Sequence, residues 1–578
     1  MIDPHQAFDV CVDIDDYKHV FYYHIPPSFS RHLPIAQLSK PIDELILMKM
    51  WLRECQETHP LCSASHEPFA PKRLLDLGPT GKTCDLKLVQ SRDIPSVRPV
   101  YVTLSHCWGS SPNPSVKTTS SNLKERTREI LFASLPLTFQ DAVQITRHLQ
   151  VRYLWIDSLC IIQDSPEDWE EEVAIMGQVY ARSLITLTAS MSRNSDGGCR
   201  VGKRPAAENN QPLDILKGSK RIRIFQNTPL DWNNAWNRGP LRKRAWTLQE
   251  RQLSTRSLHF SETLLLWECK TSKASSELPW MQMRIEDPPS LLMLNDAAEN
   301  IENSGSLSMR DHWFSIVEDY SQRSLTYEAD KLPALSGLAQ VLTQSHGTYF
   351  AGLFRMDLPS ALLWRSKIAQ FPHELQPRRP CHYRAPTWSW AAVEGAIIYD
   401  SQRLDEAVGE DRSGLIEHDF GHFSIRDLAV KPVGNDTFGA VSGGSIRLAG
   451  RLTASIADLQ VSEEGTMSFY EGWRALSNRE SERVGVIYPD VLSDLKDGQI
   501  IFCMEVRKER YWSEVGMPST IYDRNPEPKD EENSRAMVMG LALVKDDEHT
   551  GGYKRVGLVR WMKRPCFSDV EACEITIY

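Results

Sequence analysis

Apolar positions recur with two different periods between residues 100 and 190, and the switches between them mark out elements. Val100 to Leu104, Arg152 to Ile156 and Leu184 to Ala189 are short apolar runs of strand length, each bounded by polar or turn-forming residues. Between the first two, Phe139, Ala142, Val143, Thr146 and Leu149 fall on one helical face, and Thr138 with Asp141 three positions later has the form of a capping box. Between the second and third, Trp169, Val173, Met176 and Tyr180 form another stripe, opened by Ser165, Pro166 and Asp168. Glu170, Glu171 and Glu172 read as helix-start charges, which the helix dipole favours. The order is β-α-β-α-β, and right-handed crossovers make such a unit an α/β fold, a parallel sheet with helices on its faces.

Outside this stretch the pattern predicts four further regions. Residues 1–95 form a lead that is helical around Pro41 to Cys55, where Leu45, Leu47, Met48, Trp51 and Leu52 cluster. The α/β core spans 96–270, interrupted by a Ser, Pro and Thr-rich loop at Ser110 to Ser121, and 271–308 is an irregular linker. A helical region follows at 309–384. Residues 385–578 carry short β-like runs, Ser445 to Leu452, Gln499 to Val506, Ala536 to Val544 and Arg555 to Trp561, which predict an antiparallel, β-rich accessory domain. Asp523 to Ser534 reads as a solvated loop. The sequence shows no repeat of solenoid period and no GxxxxGK[ST] phosphate loop.

Polar residues with chemical capacity follow the strand patterns directly. Ser105, His106, Cys107, Trp108 and Gly109 come after the first run, Asp157, Cys160, Gln163 and Asp164 after the second, and Gln249 and Glu250 close a later apolar stretch that contains Trp246. In open α/β sheets the carboxyl edge of the strands is where ligands bind, so these groups are expected to converge on one cleft. Cys160 or Cys107 would be nucleophile or proton carrier, His106 the base, and Asp157 or Glu250 the orienting acid. Trp108 and Trp246 would wall the cleft, with Gln163, Asp164 and Gln249 as ligand-binding groups. Plainer roles compete. Cys160 between Leu159 and Ile161 suits a small core residue, Asp157 suits a turn cap, and Glu250 lies among Arg242, Lys243, Arg244 and Arg251, as in a structural ion-pair network. Cys55, His59 and Cys62 form a C-x3-H-x2-C cluster of three potential metal ligands. A fourth is not evident at structural-zinc spacing, so no metal site is assigned.

Four segments in order, YVTLSHCWG (101–109), LPLTFQDAV (135–143), RYLWIDSLCIIQDSPEDWEEEVAIMGQVYARSLITLTA (152–189) and RAWTLQERQLSTR (244–256), resemble the motifs of the fungal heterokaryon-incompatibility (HET) domain. CQETHPLC (55–62), PKRLLDLG (71–78), YSQRSLTYEADKLPALSGLA (320–339) and RAPTWSWAAVEG (384–395) resemble the lead-in and tail of proteins that carry it. The resemblance implies a TIR-like fold with flavodoxin-like strand order. Because some TIR domains cleave NAD at the nicotinamide bond, it also implies NAD as a substrate, with Glu250 or Asp157 as the carboxylate and Trp108 and Trp246 as aromatic walls. On this reading the protein mediates incompatibility and regulated cell death, activated by a protein partner or by homo-oligomerisation. The alternative is a stand-alone enzyme of fungal secondary metabolism, an isomerase, hydrolase or acyl transferase acting on a small molecule.

Charge and composition narrow the remaining classes. A net charge of −10 with no long basic run argues against nucleic-acid binding. No apolar run approaches the roughly 20 residues of a membrane span, and the first residues lack a secretory pattern. Together with twelve scattered cysteines read as thiols, this predicts a cytoplasmic protein.

Overall fold

The three predicted strands form within one residue of their expected bounds, as the middle of a larger sheet. The computed structural model describes residues 8–14, 17–23, 43–63, 68–79, 85–96, 98–109, 116–202, 213–217, 220–224, 230–276, 309–368, 376–399, 418–458, 474–510 and 536–578. The 523–534 loop expectation lies outside them. Contacts divide the chain into two units, Met1–Gly305 and Ser306–Tyr578.

The strands of the first unit's main sheet are β1 (Arg73–Asp76), β2 (Lys87–Gln90), β3 (Tyr101–Ser105), β4 (Tyr153–Ile156), β5 (Ile185–Thr188), β6 (Arg256–Phe260), β7 (Leu265–Cys269) and β8 (Lys273–Ser275). Their spatial order is β8-β7-β6-β5-β3-β4-β1-β2. β4, β3, β5 and β6 run parallel, with Leu104 opposite Ile156 and Leu187. The outer strands are antiparallel: β1 to β4, β2 to β1, β7 to β6 and β8 to β7. The expectation of a parallel sheet is therefore corrected to a mixed one. Helical crossovers join only the inner strands, whereas short connections build the flanks and force reversal.

Among the first unit's helices are α1 (Glu44–Thr58), α2 (Leu137–His148), α3 (Pro166–Ala181) and α4 (Trp246–Leu253). Phe139, Ala142, Val143 and Thr146 of α2 are all buried, as is Leu149 just beyond it. On α3, Val173, Met176 and Tyr180 are buried, but Trp169 is 39% exposed and leaves the stripe. Ser165 caps α3 by accepting from the Asp168 amide at 3.2 Å. Glu170 and Glu171 face water, while Glu172 is buried 3.5 Å from the Arg73 guanidinium, so it is no surface helix-start charge. Thr138 and Asp141 do not form a capping box either. Pro136 occupies the N-cap, the Gly198 amide donates to Thr138 Oγ1 at 3.0 Å, and the Cys199 amide donates to Asp141 Oδ2 at 2.6 Å. The pair ties down the loop after β5.

Residues Leu47, Met48, Trp51, Leu52 and Cys55 of α1 enter the same core as the sheet, with Trp51 6.1 Å from Trp267 of β7. Asp43 caps this helix by accepting from the Leu45 amide.

The second unit holds α5 (Met309–Ser321), α6 (Ser336–His346) and a large antiparallel β structure. Its strands β9 (Val441–Asp458), β10 (Arg474–Ser477), β11 (Arg483–Pro489), β12 (Ile500–Arg510), β13 (Ala536–Lys545) and β14 (Tyr553–Lys563) pair in the ring β9-β10-β11-β14-β13-β12, and β12 returns to β9. Closure leaves no free edge in that ring. Leu476, Ile487, Cys503, Val559 and Met562 are among its packed residues. Gly540 sits at a register shift where a Cβ would overlap the Met504 carbonyl, so only glycine fits there. Arg555 of β14 is fully buried. It donates to both oxygens of Asp490 at 3.2 and 3.1 Å and to the Leu362 and Trp364 carbonyls, and its guanidinium lies 3.6 Å from the Trp364 ring centre. Among the described residues no helix is long and apolar enough to cross a membrane.

Candidate functional site

The carboxyl ends of neighbouring β3 and β4 bring the first two groups of polar residues together. β3 ends in Ser105, and the next residue, His106, is buried with its ring edge against Phe139 of α2. β4 runs into Asp157, whose side chain keeps 22% of its surface exposed. Asp157 Oδ1 lies 3.8 Å from His106 Nδ1, and Oδ2 accepts from the Trp108 indole at 2.9 Å. The Trp108 ring is half-buried, with the Lys117 ammonium 5.1 Å from its centre. Gly109, at φ +90°, turns the chain away beside Asn194, where a Cβ would not fit.

The fourth motif reaches the same place. Arg244 donates to the His106 carbonyl at 2.5 Å, and Glu250 of α4 accepts from the Ser105 hydroxyl. Tyr180 of α3 also hydrogen-bonds Glu250. Ser105, Tyr180 and Arg244 carry parts of the cluster that residue type alone did not single out. Ser105 stood in the strand-end list without a role, and Tyr180 looked like one more member of an apolar stripe. Of the neighbouring cations, Arg251 pairs with Glu268 at 2.7 and 2.8 Å and lies over Trp236, while the charge of Arg244 acts on Glu250 beside its hydrogen bonds to Ser105 and Tyr180.

The electrostatics follow from this burial. Desolvation, helped by the Asp157 charge, pushes the Glu250 carboxyl up to about 7 against the pull of Ser105, Arg244 and Tyr180. Burial pushes His106 down to about 4, so its imidazole is neutral at physiological pH. Neither of its ring nitrogens has a hydrogen-bond partner among the described residues. Buried polar groups left so are uncommon and mark a place where a ligand or water completes the set.

The remaining residues are placed less centrally. Cys107 is buried, and burial raises its thiol. Cys160 is fully buried in the apolar core, its thiol pushed up to about 12 by desolvation, and its carbonyl accepts from Arg73. A thiol so held is protonated and poorly nucleophilic. Gln163 folds back on the Asp157 and Ile161 carbonyls at 3.2 and 3.1 Å. Asp164 is exposed and accepts from the Ser120 amide, tethering the loop before it. Gln249 is fully buried in α4, and Trp246 is partly buried against the core. The structure therefore gathers His106, Trp108, Asp157 and Glu250, with the buried Cys107 thiol against Arg244 in the same group, and uses Cys160, Gln163 and Asp164 to build the surrounding turns.

Glu250 gives the cluster a pH signature. Its folded-state value near 7 lies above the ordinary 4.5, so folding favours the protonated form. The stabilisation is complete below about pH 4.5 and is lost as pH rises through about 7. His106 acts oppositely, since its depressed value removes stability as pH falls from 6.5 toward 4. Wild-type stability alone thus mixes the two. Glu250→Gln should gain stability relative to wild type on going from pH 4.5 to 7.5, on the order of 2–3 kcal/mol for a shift of this size. Parallel denaturation curves for the two proteins across that range would contradict it.

Residues 101–250 match the family model described as heterokaryon incompatibility protein (HET). The chain thus carries a heterokaryon incompatibility (HET) domain, and the matched segment begins at β3 and ends at Glu250, enclosing the whole cluster. No curated protein and no solved structure matches the chain significantly.

Proposed function

We propose that this protein is an effector of heterokaryon incompatibility and regulated cell death, and that its HET domain acts by hydrolysing the nicotinamide glycosidic bond of NAD. The observation that carries the reading is the meeting of a partly exposed carboxylate, Asp157, with an unsatisfied neutral imidazole, His106, inside the matched segment. Glycosidic cleavage builds positive charge on the anomeric carbon as the base departs, and a carboxylate held there stabilises it. Asp157 suits this role better than Glu250, because it keeps contact with water while Glu250 is enclosed and shared with Ser105 and Tyr180. Trp108, fixed by its bond to Asp157, supplies an aromatic surface beside that carboxylate for the planar base. The parallel strands run in the order second, first, third, fourth, and in such a sheet ligands bind beyond the carboxyl ends at the point where the order reverses. That point lies between β3 and β5, next to His106. Incubating the purified full-length protein with NAD should release nicotinamide and ADP-ribose in equal amounts. If NAD, NADP and related nucleotides all remain intact with protein shown to be folded and self-associated, the glycosidic chemistry is excluded.

A further inference from the structure

The fourth ligand that spacing did not reveal comes from the far end of the first unit. α1 carries Cys55 in its last turn and ends on His59, and the 3-10 turn Pro60–Cys62 follows. Their spacing of four and then three residues sets all three on one side of the helix end. β7 delivers Cys269 to the same place at its last residue. The three thiol sulfurs and an imidazole nitrogen all lie within 4.8 Å of one another, and all four residues are buried. His59 Nδ1 is 3.4 Å from Cys269 Sγ. In a tetrahedral zinc site with bonds of about 2.3 Å to sulfur and 2.0 Å to nitrogen, neighbouring ligand atoms stand roughly 3.5–3.8 Å apart, so the group needs little closing to hold an ion.

We infer that Cys55, His59, Cys62 and Cys269 form a structural zinc site that fastens α1 to β7. Three thiolates on one divalent ion leave a net charge of −1, and the surroundings are arranged to meet it. The Arg256 guanidinium donates from Nε to Cys55 Sγ at 3.1 Å and from Nη2 to the Cys62 carbonyl at 2.7 Å. The Ser272 amide points at Cys269 Sγ at 3.3 Å, and the Thr271 hydroxyl lies 3.7 Å from Cys62 Sγ. Donors to the ligand atoms are what a metal-thiolate site requires around it. The other His59 nitrogen, Nε2, is buried with no hydrogen-bond partner among the described residues, so packing and the contact through Nδ1 hold the ring. Three cysteines and one histidine fill a tetrahedron and leave no open position, which is the mark of a structural rather than a catalytic zinc. The ion closes a loop of 210 residues between His59 and Cys269, joining the lead to β7, one strand in from the sheet edge opposite β2.

The test uses the full-length protein purified with zinc present. Elemental analysis should find about one zinc per chain, and cobalt exchanged into the site should give the intense d–d bands and thiolate charge-transfer band of a tetrahedral sulfur-rich centre. Cys269→Ser should weaken zinc binding by at least about 100-fold in competition with a chromogenic chelator, since even outer partners of metal ligands are worth 10–100-fold. The exposed Cys381 serves as a control, and Cys381→Ser should bind zinc as wild type does. If Cys269→Ser fails to fold, the wild type still decides: Cys55, Cys62 and Cys269 should resist alkylation until a strong chelator is added and then react. Protein that folds with less than one tenth of an equivalent of zinc overturns the assignment. So does a disulfide among these cysteines, or alkylation that does not respond to the chelator.

Discussion

Asp157→Asn is expected to lower NAD cleavage by at least about 100-fold while shifting the melting temperature by no more than about 2 °C. The size of the loss is that of removing one pre-positioned charge from a developing ionic transition state. The small thermal effect follows from the local bonding. The Trp108 indole and the Ser158 amide bind different oxygens of Asp157, so asparagine keeps an acceptor for only one of them, and because the residue is part-exposed water can take the place of the other. The two readouts matter together. Loss of activity with loss of folding would speak only for a structural role, and unchanged nicotinamide release would remove Asp157 from the chemistry.

Arg555→Met should destabilise the second unit by about 3–5 kcal/mol, the cost of stranding one member of a buried ion pair. Burial already raises the Asp490 carboxyl against the pull of Arg555 and Arg379, so without Arg555 it keeps only the longer contact to Arg379 at 3.5 Å and is pushed further toward taking up a proton. The substitution also leaves the Leu362 and Trp364 carbonyls without their donor and removes the stacked cation from Trp364. Because the chain has two units, a single denaturation midpoint mixes their unfolding. Hydrogen exchange of the 553–563 and 483–489 strands reads the effect directly. Protection there equal to wild type would show that the buried pair contributes nothing measurable.

What the sequence made legible was local. β3, β4 and β5 stood out because all of their residues are apolar or small and each ends abruptly at a polar residue. Ser165 was readable as a cap because its bond partner lies three residues on. The juxtaposition of His106 with Asp157 followed from two neighbouring parallel strands ending together. Non-local pairings escaped. Thr138 and Asp141 have the spacing of a capping box, but a loop 60 residues away took their oxygens instead. Cys269 gave no signal because its partners precede it by about two hundred residues. The antiparallel flanks and the closed ring of the second unit were hidden for the same reason, since strand register depends on which distant segments meet. Glu250 was visible as a residue, but its hydrogen-bond partners Ser105 and Tyr180 lie on distant segments of the chain and could not be read beside it.

The extent of the sheet has a practical meaning for anyone who wishes to isolate the domain. The family signature runs from residue 101 to residue 250, but the sheet that supports it runs from Arg73 to Ser275, and only three of its eight strands fall inside the signature. A polypeptide trimmed to the signature would carry the catalytic candidates on a three-stranded ribbon with both borders raw, open to pairing with any other chain. Evolutionary recognisability and physical self-sufficiency are different lengths of this molecule. The shortest stretch that keeps every strand of this sheet together with the capped first helix reaches from Asp43 to Ser275, and it is that span, not the signature, which the cell must complete before the domain is a domain.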